Sequence, residues 1–484
     1  MYTPYFPALR SRLAPLGRRA LQTLRHVSLP QLEACLDTYL PVHLLSAEDE
    51  GANSRERIYS LRLTFQCFIW QLLKPETACR EVVRQVQALC RLQGLGRVKN
   101  GSAYCQARLR LPRERLEKAL AQMAQHADQR VGEGASLRGR PVKVVDGTTV
   151  QLADTRKNQK RYPQLPHQKP GCGFPLLKLL ALFSLSSGAI LTVIMDSYHS
   201  HDLRLFHRIW EGLKHGDVIL GDRLFGDYAT LADLPRQGID VVARLNVKRK
   251  VDFRKAKRLG RNDGLFVWTK PQTCPPYLTL AQWVESPTTI TVRIVRFRLA
   301  TKGYRSRSIL LVSTLLDPKL YPLEELAALY ARRWRLELCF RDLKTQMGME
   351  QLRCQTPAMA EKEALAYLVA HNLVRCVIAE ALARYRVELD RVSFKGAVDT
   401  LRQYTQTMVQ ARSRKQRQEL WADLLSNLAR DLVPWRPGRR EPRAVKHRPK
   451  PFPLLTRPRH LFKDHIRYDK WLRLKKSQEN RGLI

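Results

Sequence analysis

The spacing of apolar and polar positions changes twice along the chain. From residue 29 to residue 130 apolar side chains recur at helical intervals. Arg57–Leu73 is an aromatic-rich helix stopped by Lys74-Pro75, and Glu76–Leu92 is amphipathic, with Cys79, Val83, Val86 and Cys90 on one stripe. A Gly/Lys/Asn turn at Gly94–Gly101 leads to a short helix, Ala103–Leu109, with Ser102 as its N-cap. Pro112 opens a further helix to about Arg130. Helix, polar turn and a short helix bearing Tyr104, Gln106, Arg108 and Arg110 form either a helix-turn-helix unit or a helical bundle with a basic surface.

From Pro141 the period shortens. Val142–Val145 is an apolar strand that delivers Asp146 at its end, and Thr148–Leu152 continues extended. The most hydrophobic run, Leu176–Met195, is interrupted by Lys178 and by Ser184–Gly188, and β-branched residues fill its second half. It is therefore a buried hairpin and not a membrane helix. Asp217–Leu220 is a further buried strand that places Asp222 at its carboxyl end; a helix follows from about Tyr228, and Asp240–Leu245 is a third strand of the same type. Three antiparallel strands followed by strand–helix–strand predict a mixed sheet flanked by helices, an α/β core.

Residues 246–320 break this order. Asn246–Arg261 holds eight basic residues and one acid, and alternating strands follow near Leu265–Thr269, Thr289–Leu299 and Ser308–Thr314. Pro322 opens a long helix through Lys344, Ala358–Tyr385 is a second, largely apolar one, and residues 386–433 are helical and polar. The chain thus divides into a helical N-terminal region (1–135), a first core segment (136–245), a β-rich insertion (246–320), a second core segment (321–385) and a helical, basic C-terminal region (386–484).

Charge narrows the function. With 85 Lys and Arg against 44 Asp and Glu, the net charge is +41 over 484 residues. A surplus of this size predicts a polyanionic partner, nucleic acid first and an anionic membrane surface second. The ten cysteines are scattered without a CxxC pair, as in a reduced, cytosolic protein. Residues 1–30 carry five arginines and no acid, but prolines break the stretch and no cleavable hydrophobic segment follows. The tail from 435 to 484 holds 16 basic and four acidic residues with many prolines, composition suited to lying along a phosphate backbone or to disorder.

The candidate chemistry lies at strand ends. Asp146 in Val-Val-Asp-Gly-Thr and Asp222 in Leu-Gly-Asp-Arg-Leu both close apolar strands, and neighbouring strands of one sheet bring such carboxylates together. Clustered oxygens suit hard divalent cations, and paired cations suit phosphoryl transfer. Glu337 offers a third carboxylate on the helix that follows the insertion. Tyr330, Arg333, Glu337 and Lys344 are spaced to share one face of that helix, where two cations beside an acid can hold metal and phosphate together. An ordinary exposed helix laced by i,i+4 ion pairs is the alternative.

Tyr330-x2-Arg333-x3-Glu337-x6-Lys344 resembles the third signature of the insertion sequence 4 family of DDE transposases, matching it at every spacing. Val144-Val-Asp146-Gly-Thr-Thr149 and Gly216-Asp-Val-Ile-Leu-Gly-Asp222-Arg-Leu-Phe225 are similar to the first two signatures, and the likeness runs from about Arg55 to about Arg459. The resemblance implies a ribonuclease-H-like mixed sheet split by a β-rich insertion, and a cut-and-paste enzyme that cleaves transposon ends and joins them to target DNA. It implies that Asp146, Asp222 and Glu337 hold two Mg²⁺ ions, with Mn²⁺ as a substitute. It further implies that Arg333, Lys344 and Tyr330 grip phosphates beside the scissile bond, with Trp334 near the terminal bases. A homodimer that synapses both terminal inverted repeats in the bacterial cytoplasm, associated with the nucleoid when bound to DNA, is expected, with no membrane partner. Relatives capture a flipped base with an aromatic residue of the insertion; here Ser306–Leu315 offers only Ile309 and its neighbours, leaving Trp268 as a substitute or as core.

Other polar clusters carry weaker signals. Asp196, His199, His201 and Asp202 resemble metal ligands but read better as a solvated loop, and Asp154, Thr155 and Asn158 as turn caps. Arg223, after Asp222, and Arg244, near the end of the third strand, contact either phosphate or a nearby acid; the basic run Lys248–Arg261 is assigned to backbone contact. An inactive or host-adopted relative that binds DNA without cutting, and a structural nucleic-acid-packaging protein, are the competing readings. The acidic triad separates them, because packaging has no use for three placed carboxylates.

Overall fold

The computed structural model describes residues 36–46, 58–92, 102–132, 136–298, 308–434, 455–458 and 461. The arginine-rich residues 1–30, the turn Gly94–Gly101 and most of the basic tail lie outside the described residues. After a short 3-10 turn at Val42–Leu45 come four helices: α1 (Leu61–Leu73), α2 (Cys79–Leu92), α3 (Ser102–Arg110) and α4 (Arg113–Val131). Ser60 caps α1 by accepting a hydrogen bond from the Leu63 amide, and Pro112 takes the N-cap position of α4. Helices α1, α2 and α3 close over a small core of their own, built from Leu63, Cys67, Val82, Val86, Tyr104 and Ala107.

That core corrects the helix-turn-helix expectation at two positions. Tyr104 is fully buried and donates its hydroxyl to Gln71 Oε1 at 2.9 Å. Arg108, one turn on, lies over the rings of Phe68 and Tyr104 and donates to Cys79 Sγ at 3.2 Å. The i,i+4 spacing that puts both on one face of α3 turns that face towards α1 and not towards solvent. Ser102 is the first residue of the helix.

The sheet begins with β1 (Val142–Gln151) and continues, after α5 (Arg156–Arg161), with β2 (Leu176–Ser184), β3 (Ile190–Ser197), α6 (Asp202–Ile209), β4 (Val218–Gly221), α7 (Tyr228–Asp233) and β5 (Asp240–Arg244). The segment that follows supplies β6 (Lys257–Gly260), β7 (Asp263–Thr269), α8 (Leu280–Glu285), β8 (Thr289–Phe297) and β9 (Ile309–Ser313). Together they form one nine-stranded sheet in the order β3-β2-β1-β4-β5-β9-β8-β7-β6. Strands β1, β2 and β3 pair antiparallel, whereas β4 runs parallel to both β1 and β5. The strands of 246–320 build no separate sheet: β9 pairs antiparallel with β5 and extends the core edge.

The second half of the chain is helical: α9 (Leu323–Arg332), α10 (Arg335–Arg341), a π-helical turn at Asp342–Gln346, α11 (Pro357–Tyr385), α12 (Phe394–Met408) and α13 (Arg414–Arg430). Helix α11 is long and apolar enough to cross a membrane, yet 94% of its most apolar window is buried inside the protein. It packs with α4 on one face of the sheet, where Asn372 satisfies the backbone of Ile190 on both sides and the Leu120 carbonyl. The other face is covered by α6 and α7 around Val145, Ile219 and Phe206.

The long helix expected from Pro322 to Lys344 is broken. Arg333 and Trp334 form a turn between α9 and α10, and the backbone then widens into the π turn, where Met347 donates to the Asp342 carbonyl at 3.0 Å. Such widened turns are rare and concentrate at functional sites. Here the turn is anchored from α11: Arg375 donates to Asp342 at 3.2 Å, an ion pair buried on both sides.

Candidate active site

The register of β1 against β4 sets the first two acids side by side. Val144 lies opposite Leu220 in the last registered parallel pair, and Asp146, within β1, and Asp222, just past β4, each follow by two residues and line one cleft. Each carboxylate is oriented locally: Asp146 Oδ1 accepts from the Gly147 amide at 2.8 Å, and Asp222 Oδ1 from the Leu224 amide at 2.7 Å. Gly221 permits the second turn, since a Cβ there would sit 2.7 Å from Phe225 Cβ, the ring that closes the underside.

Glu337 reaches the pair through Arg333. The guanidinium stands 3.8 Å from Asp146 Oδ2 and 3.4 Å from Glu337 Oε1, and so bridges the first and third acids. It lies over the Tyr330 ring at 5.7 Å, and its Nε is buried without a hydrogen-bond partner among the described residues. Burial pushes the Asp146 carboxyl up to about 6; Gly147 and Arg333 oppose the rise, and the charges of Asp222 and Glu337 add to it. A buried carboxylate crowded by two others is a charge that a divalent cation relieves, and hard oxygen donors are the ligands such a cation takes. As they stand, no three His, Cys, Asp or Glu side chains among the described residues converge to metal-ligand geometry. Arg333 occupies the space between Asp146 and Glu337 instead.

This arrangement carries a stability prediction. The folded Asp146 pKa lies above its unfolded value of 3.8, so its stabilising contribution is complete below about pH 4 and lost as the pH rises through 6. At about 1.4 kcal/mol per unit, ionised Asp146 costs the metal-free fold up to about 3 kcal/mol. Asp146→Asn is therefore expected to raise the melting temperature of the metal-free protein at pH 8 and leave it unchanged at pH 4. Equal melting of variant and wild type at both pH values would contradict this.

The remaining candidates separate. Tyr330 is buried beneath Arg333, with burial raising its phenol pKa and Arg333 and Arg244 opposing. Arg244 ends β5 at the same edge as the acids. Arg223 is exposed and makes no ion pair among the described residues, and Trp334 is 43% exposed at the start of α10. Lys344 lies within the π turn, half-buried, with Glu350 as its electrostatic partner. Trp268 is 8% exposed and covered by the Arg249 guanidinium, 3.8 Å above its ring, so it is core. Thr155 caps α5, as expected, by accepting from the Asn158 amide.

The loop set aside in the sequence returns as a wall of the site. A cleft of about 570 Å³ contains Asp146 and Asp222 and is lined beyond them by Thr148, Lys178, Tyr198, His199 and Asp202. Lys178 pairs with Asp202 at 3.2 Å and donates to the Ser200 carbonyl, while His201 accepts from the Leu203 amide to cap α6. The signal was present: Lys178 is a lone cation inside the run Leu-Leu-Lys-Leu-Leu-Ala-Leu-Phe.

Comparison with known proteins points to the same chemistry. Residues 137–373, which hold all three acids, match the Transposase DDE domain family. Over 442 residues the chain is 24% identical to the transposase InsG for insertion sequence element IS4 of Escherichia coli (strain K12), covering 89% of this chain and 95% of that one. The chain carries a transposase DDE domain and is similar to the transposases of the insertion sequence 4 family. Among solved structures, the piggyBac transposase in its synaptic complex with hairpin DNA resembles this transposase at a TM-score of 0.42 and 11% identity, over 84% of this chain and 86% of that one. The transposase is a DNA-acting enzyme of a family that works with divalent metal ions.

Proposed function

We propose that this transposase cuts the ends of its element and joins them to target DNA at one site built from Asp146, Asp222 and Glu337. The observation that carries the reading is the meeting of Asp146, on β1, and Asp222, just past the parallel β4, in one cleft, with Glu337 tied to Asp146 by Arg333. The strand order β3-β2-β1-β4-β5, with β4 and β5 parallel to β1 and an acid-bearing helix downstream, supports a ribonuclease-H-like core. Asp146 and Asp222 fit as the fixed ligands of two Mg²⁺ ions, and Glu337, on an exposed helical turn, as the third. When bound, such ions supply an activated oxygen nucleophile and charge stabilisation of the leaving oxygen.

The chain's own residues do the rest. Arg333 neutralises two of the acids and, once relieved of that role, lies within reach of a phosphate, its unpaired Nε ready to donate. Tyr330 holds the guanidinium from below, and Arg244 stands beside it. Arg223 and Trp334, both exposed near the site, contact backbone and terminal bases, and Lys344 grips phosphate further along. The basic termini and the N-terminal helical region add DNA affinity. Both ends are processed in a homodimer, in the bacterial cytoplasm and on the nucleoid when DNA is bound.

The test is incubation of the protein with a labelled duplex carrying the element's own terminal repeat, in Mg²⁺ and in Mn²⁺. Strand cleavage at the repeat boundary is expected, and the product ends report whether a hairpin forms. Tight binding with no cutting in either metal would favour an inactive, DNA-binding relative.

A further inference from the structure

Helix α2 carries a charge pattern that its fold does not need. Its buried face, Val82, Val86 and Cys90, packs into the small N-terminal core. The opposite face presents Arg80, Arg84, Gln87 and Arg91, all exposed, at spacings of four, three and four. Those spacings keep the four side chains on one stripe about 16 Å long, at 1.5 Å rise per residue. Arg80, Arg84 and Arg91 make no ion pair or hydrogen bond among the described residues, whereas the helix's one acid, Glu81, is engaged by Lys74 at 2.5 Å. Arg80 also stands in the first turn, where the helix dipole disfavours a cation. Arg80, Val83, Arg84 and Gln87 line a concavity of about 440 Å³. Unpaired cations held in register, one of them against the local field, are complementary to an array of fixed negative charges.

We propose that α2, and not α3, is the helix through which the N-terminal region holds duplex DNA, with Arg80, Arg84 and Arg91 on successive phosphates. This deepens the DNA-cutting reading and rests on it. A regular stripe of this length matches the backbone of a duplex, on which phosphates recur at fixed intervals along each strand. The short helix α3 is unsuited to the role, because Tyr104 and Arg108 are spent on the core.

The experiment is the salt dependence of binding to the terminal-repeat duplex, measured by fluorescence anisotropy with the full chain. Arg80→Ala/Arg84→Ala/Arg91→Ala is expected to lower the slope of log affinity against log salt by about 0.9 per arginine, close to three for the triple variant. The triple lysine variant, which keeps the charges, is expected to retain most of the slope. Circular dichroism melting of both variants should match wild type, since none of the three side chains is buried. An unchanged slope in the alanine variant overturns the assignment and leaves the stripe to an acidic protein partner. Loss of slope in the lysine variant as well, with lowered melting, also overturns it, since the arginines would then be structural. Absence of duplex binding by wild type would instead remove the DNA reading itself.

Discussion

Glutamine in place of Glu337 is expected to abolish cleavage while leaving binding of the terminal-repeat duplex within a factor of a few. The same holds for Asn at 146 or 222. Stabilisation of developing charge by a bound cation is worth several kcal/mol, and at 1.36 kcal/mol per decade a loss of about 4 kcal/mol is about a thousandfold in rate. Binding survives because each substitution is nearly isosteric and removes negative charge from a DNA-facing surface. The Glu337 side chain is 43% exposed, so its replacement leaves no buried group unsatisfied. Cleavage in Mg²⁺ by any of the three variants at more than a tenth of the wild-type rate would remove that residue from the site. A variant that fails to fold would be visible as lost helicity and lost DNA binding together.

The largest expected effect on stability lies far from these acids. Arg293 on β8 is completely buried, its guanidinium held by both oxygens of Asp263 at 2.5 and 2.8 Å and by the Tyr321 carbonyl at 2.6 Å. Asp263→Ala leaves that cation buried without a counter-charge, a loss of about 3–5 kcal/mol. Because Tyr321 lies two residues before α9, the damage should spread from the insertion strands towards Arg333. Arg293→Met/Asp263→Leu, which removes both charges and keeps the volume, is expected to recover much of the loss. Chemical denaturation of the single and double variants measures both. An Asp263→Ala protein as stable as wild type would show that the ion pair is not the link.

How far these features could be read from the sequence follows from the range of the interactions that set them. The strands β1 to β5 and the position of Asp222 after β4 were legible because apolar runs are local patterns, whereas Asp146 lies within the longer β1 (Val142–Gln151) and does not close it. The fixed spacing from Tyr330 to Glu337 was legible for the same reason. The break in the helix from Pro322 to Lys344 was not legible, because the π turn is anchored by Arg375 from a helix about thirty residues on. Tyr104 and Arg108 looked like DNA contacts because a short helix carries too little periodicity to show which side is buried. The union of the insertion with the core sheet rests on β9 pairing with β5, a contact across more than sixty residues that no local pattern announces. Lys178 and the loop from Tyr198 to Asp202 were visible as anomalies, but only the fold brings them to the wall of the acidic cleft.

The most direct test of a metal held by these carboxylates is a change of metal preference. In Asp222→Cys a softer thiolate replaces a hard oxygen ligand, which disfavours Mg²⁺ more than it disfavours Mn²⁺. Cleavage of the terminal-repeat duplex by this variant is expected to be lost in Mg²⁺ and restored in part by Mn²⁺, while wild type cuts in both. Equal activity of the variant in the two metals, or activity of wild type in a chelator, would contradict the assignment of Asp222 as a metal ligand.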